Sequence, residues 1–189
     1  METAYFEGKE YRDEDFTLSF TSGEYEECTF VGCKFAGVDL RDVVFSECTF
    51  ERCDFSNAQL LNTSFRDVEF STCKLLGLRF DKCNPFLLTF NFINCQLDFS
   101  SFYGLKLKQT KFKACKMQEV EFVEVDLTAS TFQNCNLLQA VFDGANLEKV
   151  DFRTAENFSI DPERNRLRKA VFSLTNVTGL LDKYDISVK

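Results

Sequence analysis

Large apolar residues recur at every fifth position along most of the chain. Positions 20 to 80, in steps of five, are Phe, Tyr or Leu without a miss, and positions 92 to 152 are Phe, Leu or Met. An amphipathic helix repeats every 3.6 residues and a half-buried strand every two, so neither describes this pattern. Two places before each large residue, or centre, stands a smaller one, as in Cys33 before Phe35, Ala58 before Leu60 and Ala145 before Leu147. A separation of two on extended backbone puts both side chains on one face. Each pentad therefore predicts a very short inward-facing strand followed by two residues that turn a corner.

A slower period of twenty sets the number of corners. Leu87, Leu107, Leu127, Leu147 and Leu167 form one series, and Phe92, Phe112, Phe132, Phe152 and Phe172 a second. Leu97, Met117 and Leu137 form a third, with Phe102, Phe122 and Phe142 as the fourth. Four pentads per turn predict a square coil in which like residues stack at the ~4.8 Å spacing of neighbouring strands. The expected fold is all-β: a quadrilateral parallel β-helix of about eight coils, on the order of 38 Å long, whose coils complete one another's interior. A β-sandwich would alternate at period two over longer runs, which this chain does not do.

The pattern divides the chain into an acidic N-terminal cap at 1–15, the repeat region at 16–175 and a C-terminal segment at 176–189. A phase break falls at 81–86, where "DKCNPFL" makes a step of seven between Phe80 and Leu87. Pro85 suits a bulge or exposed corner there. Asn157 and Pro162 stand where centres are due, yet Leu167 and Phe172 return on schedule, so two faces of the last coil are expected to loosen. The terminal "TNVTGLLDKYDISVK" places Leu180, Leu181, Tyr184 and Ile186 around a short helix suited to covering that end or pairing two copies of it.

Composition narrows the chemistry. The chain has 23 Phe, no Trp and no His. Without histidine, Ser-His-Asp and Cys-His nucleophiles and zinc sites with nitrogen ligands are excluded, so neither an enzyme nor a cofactor is expected. Eight of the nine cysteines lie two before a centre, and they stack in twenties: 28 with 48, 33 with 53 and 73, and 95 with 115 and 135. Stacked Cβ atoms near 4.8 Å exceed the ~3.5–4.5 Å of a disulfide, and a single file offers no four converging metal ligands. Free, core-filling thiols and a reducing compartment are the expectation. No apolar run approaches the ~20 residues of a membrane span, and the start is acidic where a secretory signal is basic and then apolar, which predicts a cytoplasmic protein with no membrane partner.

The net charge of −8 is unevenly placed. Residues 1–27 hold nine acids against Lys9 and Arg12, whereas the remainder holds 21 acids and 20 bases. Direct contact with nucleic-acid phosphates would want the opposite sign.

The stretches "VDLRD" at 38–42, "CDFSN" at 53–57 and "ANLEK" at 145–149 resemble the tandem A(D/N)LXX motif of the pentapeptide-repeat family, over about residues 16–175. The resemblance implies a right-handed coil and, by analogy with members that pair end to end, a homodimer through the C-terminal segment. Within the family the chain resembles the Qnr-type group, which implies binding to DNA gyrase and topoisomerase IV by partial mimicry of duplex DNA, with fluoroquinolone resistance as a consequence. The alternative is a protein-binding or structural scaffold with an unnamed partner. The outward acids of "QEVEFVEVD", Glu119, Glu121, Glu124 and Asp126, are the candidate partner-binding residues. Lysines 106, 108, 111, 113 and 116 precede them by up to a coil and are expected to pair across coils at about 0–1 kcal/mol each. Since ~38 Å of duplex carries about 22 phosphates, a net −8 imitates it only in part.

Overall fold

The computed structural model describes residues 3–186 and shows a four-walled solenoid of parallel β-structure. Eleven short strands follow in chain order: β1 (Ala4–Glu7), β2 (Glu10–Arg12), β3 (Gly23–Glu26), β4 (Thr29–Val31), β5 (Val44–Ser46), β6 (Thr49–Glu51), β7 (Ser64–Arg66), β8 (Val68–Ser71), β9 (Phe90–Ile93), β10 (Lys111–Lys113) and β11 (Thr131–Gln133). One sheet has the order β1-β3-β5-β7 and the other β11-β10-β9-β8-β6-β4-β2, and every pairing is parallel. The remaining walls are built from single bridges, such as Asp15↔Lys34↔Asp54↔Lys74↔Gln96↔Lys116↔Asn136↔Glu156.

The seven-stranded sheet makes six turns, fewer than the eight coils expected. Beyond β11 its wall continues only as the bridges Thr131↔Asp151 and Asp151↔Val171. The walls are named below by their first ring: Phe6, Tyr11, Phe16 and Phe20.

The core follows from the pentad. Rings stack along the axis, as in Phe30–Phe50 at 4.7 Å and Phe35–Phe55 at 4.4 Å, and meet edge to face around the corners, as in Phe50–Phe55 at 5.0 Å and 85°. Burial of each such ring contributes about 1.5–3 kcal/mol, and each favourable ring pair about 0.5–1.5 kcal/mol more.

The small residue two before each centre has a second task. Its side-chain donor reaches the centre carbonyl one wall back in the coil beneath: Thr63 Oγ1 to Leu40 O, Ser100 Oγ to Leu75 O and Ser130 Oγ to Leu107 O, each at 2.8 Å. The cysteines do the same more weakly, with Cys73 Sγ 3.3 Å from Phe50 O and Cys95 Sγ 3.3 Å from Phe70 O. All nine thiols are free and buried.

Corners carry the left-handed residues. The second residue after a centre has a positive φ in coil after coil, including Asn57 (57°) and Asn62 (58°) but also Phe99 (64°). Its N–H donates to the coil above, Asn57 N to Leu76 O at 3.0 Å and Phe99 N to Gln118 O at 2.9 Å. This ladder offsets the conformational cost at residues other than Gly and Asn.

Three features depart from the expected layout. The first coil begins at Ala4: β1 pairs with β3 and β2 with β4, so residues 4–15 belong to a coil of the tube rather than to a separate cap. Second, the break is an excursion of the Phe6 wall across Asn84–Thr89. Leu87, placed by its period among the centres, is 62% exposed, and Phe90 fills the interior instead. A coil here takes 22 residues, as Phe70↔Phe92 shows. Third, Phe158 and Ile160 are buried near the vacated positions 157 and 162, closing the last coil on the two walls expected to loosen.

Candidate partner-binding surfaces

Because the interior is filled by rings, chemistry available to a partner lies on outward residues. The four acids singled out from sequence do not share one wall. Glu121 lies on the Phe20 wall and accepts from Ser101 Oγ at 2.5 Å, while Glu124 lies at its following corner and accepts from Tyr103 Oη at 2.9 Å. Glu119 occupies the preceding corner, beside Gln118 Nε2 at 3.2 Å. Asp126 is around the corner on the Phe6 wall, bonded to Thr128 and 3.4 Å from Lys108 Nζ. Burial alone would raise its pKa, but the Thr128 bonds and Lys108 outweigh that and hold it below the usual range. Three of the four thus bracket one wall, joined by the exposed aromatic Tyr103 and, at the Glu119 corner one coil earlier, Phe99.

A larger acidic feature extends the acid-rich N-terminal stretch along the rod. At the corner between the Phe6 and Tyr11 walls, Glu27, Glu47 and Asp67 occupy the same position in successive coils. Glu7 and Glu26 are register partners at the adjacent position, Glu24 is outward on β3, and Glu69 outward on β8. None of these seven makes an ion pair among the described residues, whereas acids elsewhere commonly do, as in Asp15–Lys34 at 3.1 Å and Asp81–Arg79 at 2.7 Å. Tyr5 hydroxyl donates to Glu26, and that bond to a carboxylate pushes the phenol up to about 12. The acid-rich stretch 1–27 already contains Glu7, Glu24, Glu26 and Glu27, whereas Glu47, Asp67 and Glu69 join them only through the coil.

The excursion at Asn84–Thr89 exposes Phe86 (64%) beside Leu87, with Arg66 stacked 5.9 Å from the Phe86 ring centroid. At the C-terminal end, short 3-10 turns Val177–Leu180 and Asp182–Tyr184 fold over the last coil. Of the residues expected at a dimer contact, Leu180 packs against the protein's own core and Leu181 is half-buried, while Tyr184 and Ile186 are exposed, as are Leu174 and Val177. Among the described residues no helix is long and apolar enough to cross a membrane.

The chain compares with known proteins as follows. It resembles the structure of a trypsin-treated variant of QnrB1, a plasmid-mediated fluoroquinolone resistance protein, at 18% identity over 98% of this chain and 92% of that one, with a TM-score of 0.73. Full-length QnrB1 matches at 16% identity over 97% of this chain and all of that one, with a TM-score of 0.53. HetL, a pentapeptide-repeat protein involved in heterocyst differentiation regulation from the cyanobacterium Nostoc sp. strain PCC 7120, matches at 15% identity over 91% and 87% of the two chains, with a TM-score of 0.39. No curated protein sequence matches the chain. The model of the pentapeptide repeat region matches residues 18–91 and 87–157, and with the pentad register, square coil and stacked centres described above, the chain belongs to the pentapeptide-repeat family.

Proposed function

We propose that this protein is a non-enzymatic binding rod of the cytoplasm that engages DNA gyrase or topoisomerase IV by partial imitation of DNA, and that it confers fluoroquinolone resistance through that contact. The observation that carries the reading is the unpaired ridge of Glu7, Glu24, Glu26, Glu27, Glu47, Asp67 and Glu69. Its stacked members repeat at about 4.8 Å, against one phosphate per ~3.4 Å along a single DNA strand. The ridge therefore approaches one strand of a duplex over a few coils, enough to compete for part of a basic groove. Likeness in fold to QnrB1 along nearly the whole chain is compatible with this role. Glu119, Glu121, Glu124 and Asp126 form a second candidate contact, and the exposed Tyr184 and Ile186, with Leu180 and Leu181 behind them, a candidate seam for a homodimer.

Purified protein is expected to inhibit gyrase supercoiling, or to relieve ciprofloxacin inhibition, at micromolar concentration. The substitutions Glu27→Gln, Glu47→Gln and Asp67→Asn together should weaken that effect more than Gln or Asn at 119, 121, 124 and 126. No effect of the wild-type protein on either topoisomerase would remove the reading. It would leave the second one, a protein-binding scaffold, which is favoured by the exposed Phe86 and Leu87 on the excursion.

A further inference from the structure

The two ends of the tube are finished differently. At the C-terminal end the chain folds back on itself: Ile160 N donates to Gly179 O at 2.9 Å, and Asn176 Nδ2 donates to Phe152 O at 2.7 Å and Ala155 O at 2.9 Å. Lys183 Nζ then fastens the turn to Asp161 and Glu163 at 2.7 and 2.8 Å. At the N-terminal end nothing among the described residues lies beneath the first coil. Four rings, one from each wall, are partly exposed there: Phe6, Tyr11, Phe16 and Phe20. The rings directly above the first three, Tyr25, Phe30 and Phe35, are 2%, 0% and 0% exposed.

The backbone is unfinished at the same place. β1 and β2 stand at the ends of their sheets. In the next coil, corner carbonyls accept from the coil below, Glu26 O from Gly8 N at 2.9 Å and Val31 O from Asp13 N at 2.8 Å. Among the described residues, no coil lies below to supply a donor to the equivalent carbonyls of Glu7 and Arg12. An extended edge of this kind is a template for an added strand.

Charge selects the occupant. Residues 1–27 carry nine acids and two bases, and Glu7, Glu24, Glu26 and Glu27 are without ion pairs among the described residues. Two copies placed mouth to mouth would gather twice that imbalance, so the acidic rim disfavours self-association through this end while favouring a cationic strand. We propose that the open N-terminal end docks an extended, lysine- or arginine-bearing polypeptide segment, which adds as a strand beneath β1 and β2 and covers the Phe6, Tyr11, Phe16 and Phe20 opening. This does not rest on the topoisomerase reading.

The test uses the full chain and a blocked peptide of about ten residues alternating lysine and valine. Its companions are the glutamate-valine peptide and a lysine-valine peptide of alternating L and D residues, which has the charge but forms no ordinary strand. The all-L lysine peptide is expected to bind and to slow amide exchange within residues 4–15. The quadruple variant Glu7→Gln, Glu24→Gln, Glu26→Gln, Glu27→Gln, with unchanged melting, should bind it about tenfold weaker or more. Three results would each overturn the proposal: equal binding of the mixed-chirality peptide, protection located elsewhere on the rod, or a dimer in sedimentation whose residues 4–15 are already protected from exchange without peptide.

Discussion

Phe112 lies directly beneath Phe132, with ring centroids 4.9 Å apart and planes 5° from parallel, and both rings are fully buried. Twenty residues separate them in sequence, so this one contact joins the pentad, the corner and the ladder. Truncation at such a site leaves a cavity bounded by stacked rings that the ladder prevents from collapsing. Phe112→Ala is expected to cost about 3–5 kcal/mol in urea unfolding. Phe112→Leu should cost distinctly less, because Leu97 and Leu107 already serve as centres in the same coil.

If a coil is the unit, whole coils are removable and fractions are not. Deleting residues 113–132 joins Phe112 to Gln133, the residue that Lys113 already faces in the ladder. The shortened chain should keep a β-type circular dichroism spectrum and a cooperative melt. Deleting only 113–122 places opposite walls in contact, shifts every later charge ladder, and should abolish cooperative melting.

The thiols should be silent in the native state. Burial pushes Cys33 up to about 11 and Cys48 up to about 12, and all nine are inside the tube. A thiol reagent near neutral pH is expected to label none of them until denaturant is added, and then all nine. Cys115→Ser should change stability by no more than about 1 kcal/mol, because Ser100 and Ser130 occupy the same kind of position and make the same bond to a carbonyl beneath.

The C-terminal closure is expected to respond to acid. The bonds from Lys183 hold Asp161 and Glu163 below the usual carboxylate range, with the Glu163 N–H also aiding Asp161 and the Tyr184 hydroxyl aiding Glu163. A depressed folded pKa stabilises above the unfolded value and loses that contribution as pH falls through the folded one. The protection of amides 177–184, taken relative to their intrinsic exchange rate at each pH, should therefore be steady from pH 8 to about 5 and fall below about 4, with Lys183→Met removing most of that dependence. Gly179→Ala should open the same segment at every pH, since a Cβ there would sit 2.3 Å from Phe158 O.

Most of the fold was legible because one residue type in five reports it. The first coil was missed for a definable reason: Phe16 to Phe20 is a step of four, which puts Phe6, Tyr11 and Phe16 out of phase with every later centre. Leu87 misled because its period was right while its backbone had left the wall. The candidate surface was read less well. Glu119 to Asp126 are close in sequence and diverge around two corners, whereas Glu27, Glu47 and Asp67 are far apart in sequence and adjacent in space. In a coil, charge must be read at intervals of twenty.

The most direct measurement is a diffraction structure of the protein, read at the rings of the Tyr11 wall. Phe92, Phe112, Phe132 and Phe152 are expected in one parallel file, with successive centroids near 5.3, 4.9 and 5.1 Å. Density placing any adjacent pair of these rings on different walls, or turning one of them toward solvent, would contradict it.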